Sequence, residues 1–237
     1  MGKESFQRLQ ENLRSMITSL PAESRLISEP KLAKQMGVSR ATLREAMRSF
    51  ETEGLIRRKQ GSGTFVIGEF PIIDAGMEML ESLEKIAGRM GLNVSTESLE
   101  IQHMLVDDEY ARVLELKEGE SITRISRVFL TDGRPVAYLV DILPTSLISM
   151  SDFENGHSGS VLDFLLQKGS LNLAHSRTEI NASIASGEVA NKLQIQRGDV
   201  LLYFVADLSD SSGKVIDRSY SYFLPGYFSF HVNRRVG

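Results

Sequence analysis

Residues 37–66, GVSRATLREAMRSFETEGLIRRKQGSGTFV, decide the fold of the front of this chain. Gly37 closes one helix and Ser39 supplies an N-cap oxygen for the next, in which Leu43, Ala46, Met47 and Phe50 recur at helical spacing. That apolar stripe predicts a helix held against a small core. On its other face Arg40, Arg44 and Arg48 stand at i, i+4 and i+8, which lines three guanidinium groups along one edge. Gly54 stops the helix. Leu55-Ile56 then starts a strand carrying Arg57, Arg58 and Lys59, and Gly61-Ser62-Gly63 turns back into Thr64-Phe65-Val66, so the hairpin tip has no bulky side chain. The plain alternative is a solvated basic helix beside an ordinary hairpin. Cap, arginine row, basic strand and glycine tip in this order instead predict a recognition helix running into a β-wing.

Upstream, Phe6, Leu9, Leu13, Met16, Ile17 and Leu20 recur with helical period and predict a first helix ending before Pro21. Ser28 precedes Glu29, Pro30 and Lys31, an N-cap with proline in the first turn, where its missing N–H costs nothing. Leu32, Ala33 and Met36 complete that short second helix. The whole is a winged helix-turn-helix over residues 1–68. Its recognition helix presents Ser39, Arg40, Thr42 and Arg44 to the major groove, where arginine can bind guanine O6 and N7 in bidentate fashion. Arg58 would add a contact to the sugar-phosphate backbone.

The charge distribution agrees with that division. Residues 1–68 hold 12 Lys/Arg against 7 Asp/Glu, a balance of +5, whereas residues 69–237 hold 15 against 24, a balance of -9. A basic front end on an acidic remainder fits a nucleic-acid-binding module joined to a regulatory domain. At 237 residues the chain is long enough for two cores, and its 41% hydrophobic and 24% charged composition is that of a soluble globular protein. No apolar run approaches the roughly 20 residues of a membrane span, and no signal-peptide core is present, so a cytoplasmic location is expected. The chain has no cysteine. Its four histidines (His103, His157, His175 and His231) are widely spaced, so neither a metal nor a cofactor is expected.

Gly68 to Asp74 (GEFPIID) lies where the charge balance changes sign, and a linker is expected over 69–80, followed by a second domain over 81–237. Met79, Leu80, Leu83, Ile86, Ala87 and Met90 form an amphipathic run, read as core or dimer contact rather than a ligand site. Beyond it runs a weak internal repeat: Ala111…Leu114-Glu-Leu-Lys-Glu-Gly119-Glu120 recurs as Ala190…Leu193-Gln-Ile-Gln-Arg-Gly198-Asp199. Each copy is followed by an alternating strand (122–130; 200–208), a polar turn (131–134; 209–214), a second strand and Leu-Pro. Two related halves completing one antiparallel sheet are predicted. Residues 160–168 read as a buried helix between the copies, and 177–184 as a further strand.

Over about residues 5–67 the sequence resembles the GntR family of bacterial transcription factors, with VSRATLREAMRSFETEGLIRRKQGSGTFV as the most specific part. The resemblance implies that Arg40 and Arg44 contact DNA, that Ser39 and Thr42 hold phosphate or base, and that the tip Gly61, Ser62 and Gly63 enters the minor groove. Many relatives carry a DNA-contacting arginine where this chain has Pro30, which implies a different operator preference. Residues 91–237 resemble the UTRA effector-binding domain of the HutC subfamily, which shares the chorismate lyase fold. The carrying features are RVFLTDGRPVAYLVDILP (127–144), RTEINASIASGEVANKLQIQRGDVLL (177–202) and the Ser-Tyr pair before YFLPGYFSF (222–230). An α+β protein is therefore expected, with a winged helix-turn-helix followed by a UTRA domain built on an antiparallel sheet.

In that second domain the resemblance maps a ligand-contacting arginine onto Arg127 and ligand contacts onto Ser219 and Tyr220. Arg177 and Glu179 share one strand face by alternation, with Thr178 on the other. Ser160 can cap the following helix and leave backbone N–H groups for an anion. A small anionic metabolite is the expected effector. The alternative is that the arginines and Glu179 merely pair across the sheet. Sugar-phosphate-sensing relatives often end in a Tyr-Arg-Gly-Asp type sequence where this chain has Phe223-Leu224-Pro225-Gly226, and place Glu where this chain has Leu139 or a neighbour. Both changes remove polar groups and favour a less hydroxylated acid.

Three functions follow from these features. The first is a transcription factor, a repressor released from double-stranded operator DNA by its effector and acting as a homodimer through the acidic domain. The second is an enzyme, against which stand the absence of a nucleophile–base spacing and of a phosphate-cradling glycine loop. The third is a constitutive DNA-binding protein whose second domain only dimerises.

Overall fold

The computed structural model describes residues 3–22, 24–59, 62–67, 72–148 and 159–236. They group into two compact units: residues 1–72 with 184–200 and 224–228, and residues 73–183 with 201–223 and 229–237. In the first unit, α1 (Lys3–Thr18), α2 (Glu29–Gln35) and α3 (Arg40–Thr52) precede the hairpin of β1 (Ile56–Lys59) and β2 (Gly63–Val66). Leu9, Leu13 and Ile17 of α1, Leu32 of α2 and the stripe Leu43, Ala46, Met47 and Phe50 of α3 meet Ile56 and Val66 in one buried cluster. Each large apolar side chain so buried stabilises the unit by about 1.5–3 kcal/mol. Ser39 caps α3, its Oγ accepting the Thr42 N–H at 3.1 Å.

The wing is wider than its hairpin. Leu26 donates its N–H to the Thr64 carbonyl and Val66 donates to the Ser24 carbonyl, both at 2.8 Å. The chain around Arg25 thus bridges to Phe65 as a third extended segment.

The second fold element is a six-stranded antiparallel sheet in the order β4-β5-β6-β9-β8-β7. Its strands are β4 (Val94–Leu105), β5 (Ser121–Thr131), β6 (Arg134–Pro144), β7 (Leu173–Ile184), β8 (Val200–Asp210) and β9 (Val215–Phe223). The short helices are α4 (Leu83–Arg89), α5 (Asp108–Val113), α6 (Val161–Lys168) and α7 (Gly187–Leu193). The expected repeat is a βαββ unit used twice, β4-α5-β5-β6 and β7-α7-β8-β9, with β6 and β9 paired at the centre. The copies match in detail. Non-glycine residues Glu115 and Gln194 end the helices at φ 53° and 54°, and Gly119 and Gly198 follow at φ 86° and 92°. The Glu120 carboxylate accepts the Lys117 N–H at 2.5 Å, and the Asp199 carboxylate accepts the Gln196 N–H at 2.9 Å.

Strands β5 and β6 are buried along nearly their whole length, so their side chains are covered on both faces. On one face α6 packs Val161, Phe164 and Leu165 against Ile125, Leu143, Leu208 and Ile216. Two departures from the sequence reading concern the join. Ile73–Gly76, inside the stretch read as linker, forms a strand (β3) paired with β10 (Phe228–His231). Of the amphipathic run 79–90, helix α4 takes Leu83–Arg89, capped by Ser82, and Met79 and Leu80 are exposed outside it. No helix among the described residues is long and apolar enough to cross a membrane.

Candidate functional site

On α3 the buried stripe turns the arginines outward. Arg40, Arg44 and Arg48 are exposed. Arg40 opens the helix, directly after its cap. Arg44 Nε donates to Glu29 at 2.7 Å with its side chain 56% exposed, and Arg48 lies 3.5 Å from Glu45. Ion pairs this exposed are worth about 0–1 kcal/mol, little enough for a phosphate or guanine to replace the carboxylate. The hydroxyls of Ser39 and Thr42 lie 2.8 Å apart, so the cap residue and Thr42 share a hydrogen bond.

Arg58 differs from the others. It is half-buried between Glu51 at 3.1 Å and Glu29 at 3.6 Å, which braces β1 against both helices. Burial raises the Glu51 carboxyl above the usual carboxylate range, with Arg58 opposing. Gly61 lies outside the described residues, whereas Ser62 and Gly63 stand at the hairpin turn. Gly63 has φ 115°, and a Cβ there would meet Arg25 Nε at 2.8 Å. The exposed Arg25 beside the wing tip escaped the sequence reading, because only its tertiary pairing with Phe65 brings it there.

The second unit contains a cleft of about 540 Å³ against one face of the sheet. Register sets which residues front it. Ile125 pairs with Asp141 and Arg127 with Leu139, while Asp141 pairs with Ser219 and Leu139 with Ser221, so these side chains share a face. Arg127, Leu139, Asp141, Ser219 and Ser221 all line the cleft. Phe204, Phe223 and Phe230, with ring centroids 4.6–5.1 Å apart, form an aromatic corner of its wall.

At the polar end Arg127 Nη1 donates to Asp141 Oδ2, both side chains almost wholly buried. Burial opposes the charge on Arg127, but Asp141 and Glu84 outweigh it and hold the guanidinium protonated. Burial pushes the Asp217 carboxyl well above the usual range, and the nearby Asp141 carboxylate raises it further. Burial likewise raises the Glu84 carboxyl, with Arg127 opposing. Arg127 Nε, Glu84 Oε1 and Asp217 Oδ1 are buried without a hydrogen-bond partner.

The expected effector residues divide accordingly. Arg127, Ser160 and Ser219 line the cleft. Arg177 and Glu179 are off it, paired with each other at 2.8 Å with side chains 74% and 55% exposed. Arg177 and Glu179 do share one strand face, but the face toward the cleft is that of Ser176 and Thr178. Tyr220 also lies off the cleft, stacked on Tyr203 across the opposite face at 6.4 Å. Successive side chains of β9 point to opposite faces of the sheet, so Ser219 fronts the cleft and Tyr220 does not. Asp141, two residues beyond Leu139 on the same face, brings a carboxylate to the cleft. Ser160 does cap α6, accepting the Asp163 N–H at 3.3 Å, but the first turn already holds the Asp163 carboxylate, engaged by Ser82 at 2.7 Å and Lys85 at 2.6 Å.

Residues 6–66 match the gntR family of bacterial regulatory proteins, and residues 89–229 match the UTRA domain family. The chain belongs to the gntR family and carries a UTRA domain. It is similar to the HTH-type transcriptional repressor NagR of Bacillus subtilis, 26% identical over 227 residues covering 95% of this chain and 92% of that one. It is also similar to the histidine utilization repressor of Pseudomonas putida, 28% identical over 185 residues covering 78% and 73%. The crystal structure of PhnF from Mycobacterium smegmatis has the same fold, with a TM-score of 0.65 at 20% identity over 97% of this chain and 100% of that one. This gntR-family member is therefore a DNA-binding transcriptional regulator with an effector-binding domain, not an enzyme.

Proposed function

We propose that the chain is a homodimeric repressor that two copies of α3 seat on an inverted-repeat operator, and that a small molecule in the cleft of the UTRA domain releases it. Arg40 and Arg44 read bases, Ser39 and Thr42 hold phosphate or base, and Ser62 and Gly63 lead the wing into the minor groove with Gly61. Arg58 fixes the wing's angle through Glu29 and Glu51 and lends its charge to the backbone. Arg127, Ser160 and Ser219 take part in holding the effector. The observation that carries this reading is the exposed Arg40–Arg44 edge of a helix whose opposite stripe is fully buried.

Selection of binding sites from random-sequence duplexes tests it. The recovered sites are expected to be inverted repeats with half-sites about one helical turn apart, as two symmetry-related recognition helices require. A panel of metabolites should contain at least one that releases the selected duplex. Half-sites without repeat would contradict the dimeric arrangement. Release by no metabolite, with none raising the melting temperature, would favour the constitutive reading in which the second domain only dimerises.

A further inference from the structure

The expected anion has lost its supports. Arg127 is neutralised by Asp141, Arg177 is turned away with Glu179, and the α6 N-terminus holds Asp163. Among the described residues, the Lys, Arg, Asp and Glu side chains lining the cleft are Arg127 against Glu78, Glu81, Glu84 and Asp141. Two of those carboxylates are engaged elsewhere: Glu81 with Arg89, and Glu78 with the Asn233 N–H. Glu84 is the exception, with Oε1 buried and without a hydrogen-bond partner.

We propose, resting on the reading that the cleft is the effector site, that the effector is a small amine with an apolar body and an acceptor oxygen, its protonated nitrogen received by Glu84. Removing a carboxylate oxygen from water without a partner is costly, and a bound cation restores the missing interaction. An anion would instead meet Glu84 and Asp141 with one guanidinium already shared between them, in surroundings of low dielectric where like charges repel strongly. Burial raises the Glu84 carboxyl even against the opposing charge of Arg127, as befits a buried carboxylate short of counter-charge. Arg127 Nε, a buried donor without an acceptor, accounts for the oxygen on the ligand. Leu139, Leu162, Leu173, Phe204, Phe223 and Phe230 supply apolar wall for the body. The volume of about 540 Å³ suits a small metabolite.

Three probes with one benzyl body and differing charge separate the possibilities: phenylalaninol (cation), 3-phenyllactate (anion) and 3-phenyl-1,2-propanediol (neutral). Each is titrated against the full chain by thermal shift. Phenylalaninol is expected to raise the melting temperature in a saturable way, at concentrations at least tenfold below those of the other two. Glu84→Gln should lose that preference, and Glu84→Asp should keep it in weakened form. Equal or better stabilisation by phenyllactate, stabilisation by none of the three, or an unchanged preference in Glu84→Gln would overturn the amine. Ser219→Leu, which fills the cleft, separates this from failure of the site itself. A phenyllactate response that Ser219→Leu abolishes overturns the amine and leaves the cleft standing, whereas a response to any probe that survives Ser219→Leu overturns the cleft reading with it.

Discussion

A guanidinium buried in a sheet must find a counter-charge close by, and Arg127 finds it on Asp141 of the neighbouring strand. Their attachment is offset by two residues, since Arg127 pairs with Leu139 and Ile125 with Asp141. The resemblance was enough to single out Arg127. Its partner was not legible, because strand register is a tertiary property that one sequence does not state. The same offset brings Asp217 into the cluster, buried and with Oδ1 unpartnered. An aspartate in an unfolded chain titrates at about 3.9, and Asp217 in the fold titrates higher, so the unfolded chain releases this proton first. Stability is therefore lost as pH rises from about 4 through the raised value. Asp217→Asn removes that loss. Its advantage in urea unfolding is expected to grow between pH 4 and pH 7.5, reaching on the order of 1–3 kcal/mol, the range for a buried group without its hydrogen bond. An advantage that is absent, or independent of pH, would show that no proton is held on Asp217.

Elements were legible where periodicity ran undisturbed. Both copies of the repeat carried clean alternation after a Gly-acid turn, and their strands were read from it. β4 escaped because it changes parity. Its more buried positions are Val94 and Thr96, then Leu99 and Ile101, with the shift at a bulge between Glu97 and Glu100 where Ser98 takes φ 52°. β3 and β10 escaped because strands of four residues leave almost no pattern to detect. The wing was legible for the opposite reason, since glycine at its tip is a conformational demand. Gly63 at φ 115° occupies a region that costs an L-residue about 1–3 kcal/mol, and its missing side chain leaves room for Arg25. Gly63→Ala is expected to lower duplex affinity by about that amount while leaving thermal stabilisation by a cleft ligand unchanged. Wild-type DNA affinity in Gly63→Ala would detach the wing from recognition.

At the scale of the molecule, charge and chemistry are segregated along the chain. A balance of +5 over residues 1–68 faces phosphate, and -9 over the remainder includes the acidic lining of the cleft. The order of the two domains was legible from this asymmetry and from the two resemblances, and the family matches bear it out. Which carboxylates the fold leaves unpaired was not legible, because pairing is set by tertiary packing. The proposed function depends on α3 as the recognition helix, in which Arg44, paired with Glu29 in the free chain, would pass to DNA. Fluorescence anisotropy on a selected operator and on its base-substituted variants, at physiological salt, measures that exchange directly. Arg44→Ala is expected to lose about 1–3 kcal/mol of discrimination at one base pair of each half-site, with weaker binding to the operator. Unchanged affinity and unchanged sequence preference in Arg44→Ala would contradict α3 as the reading helix.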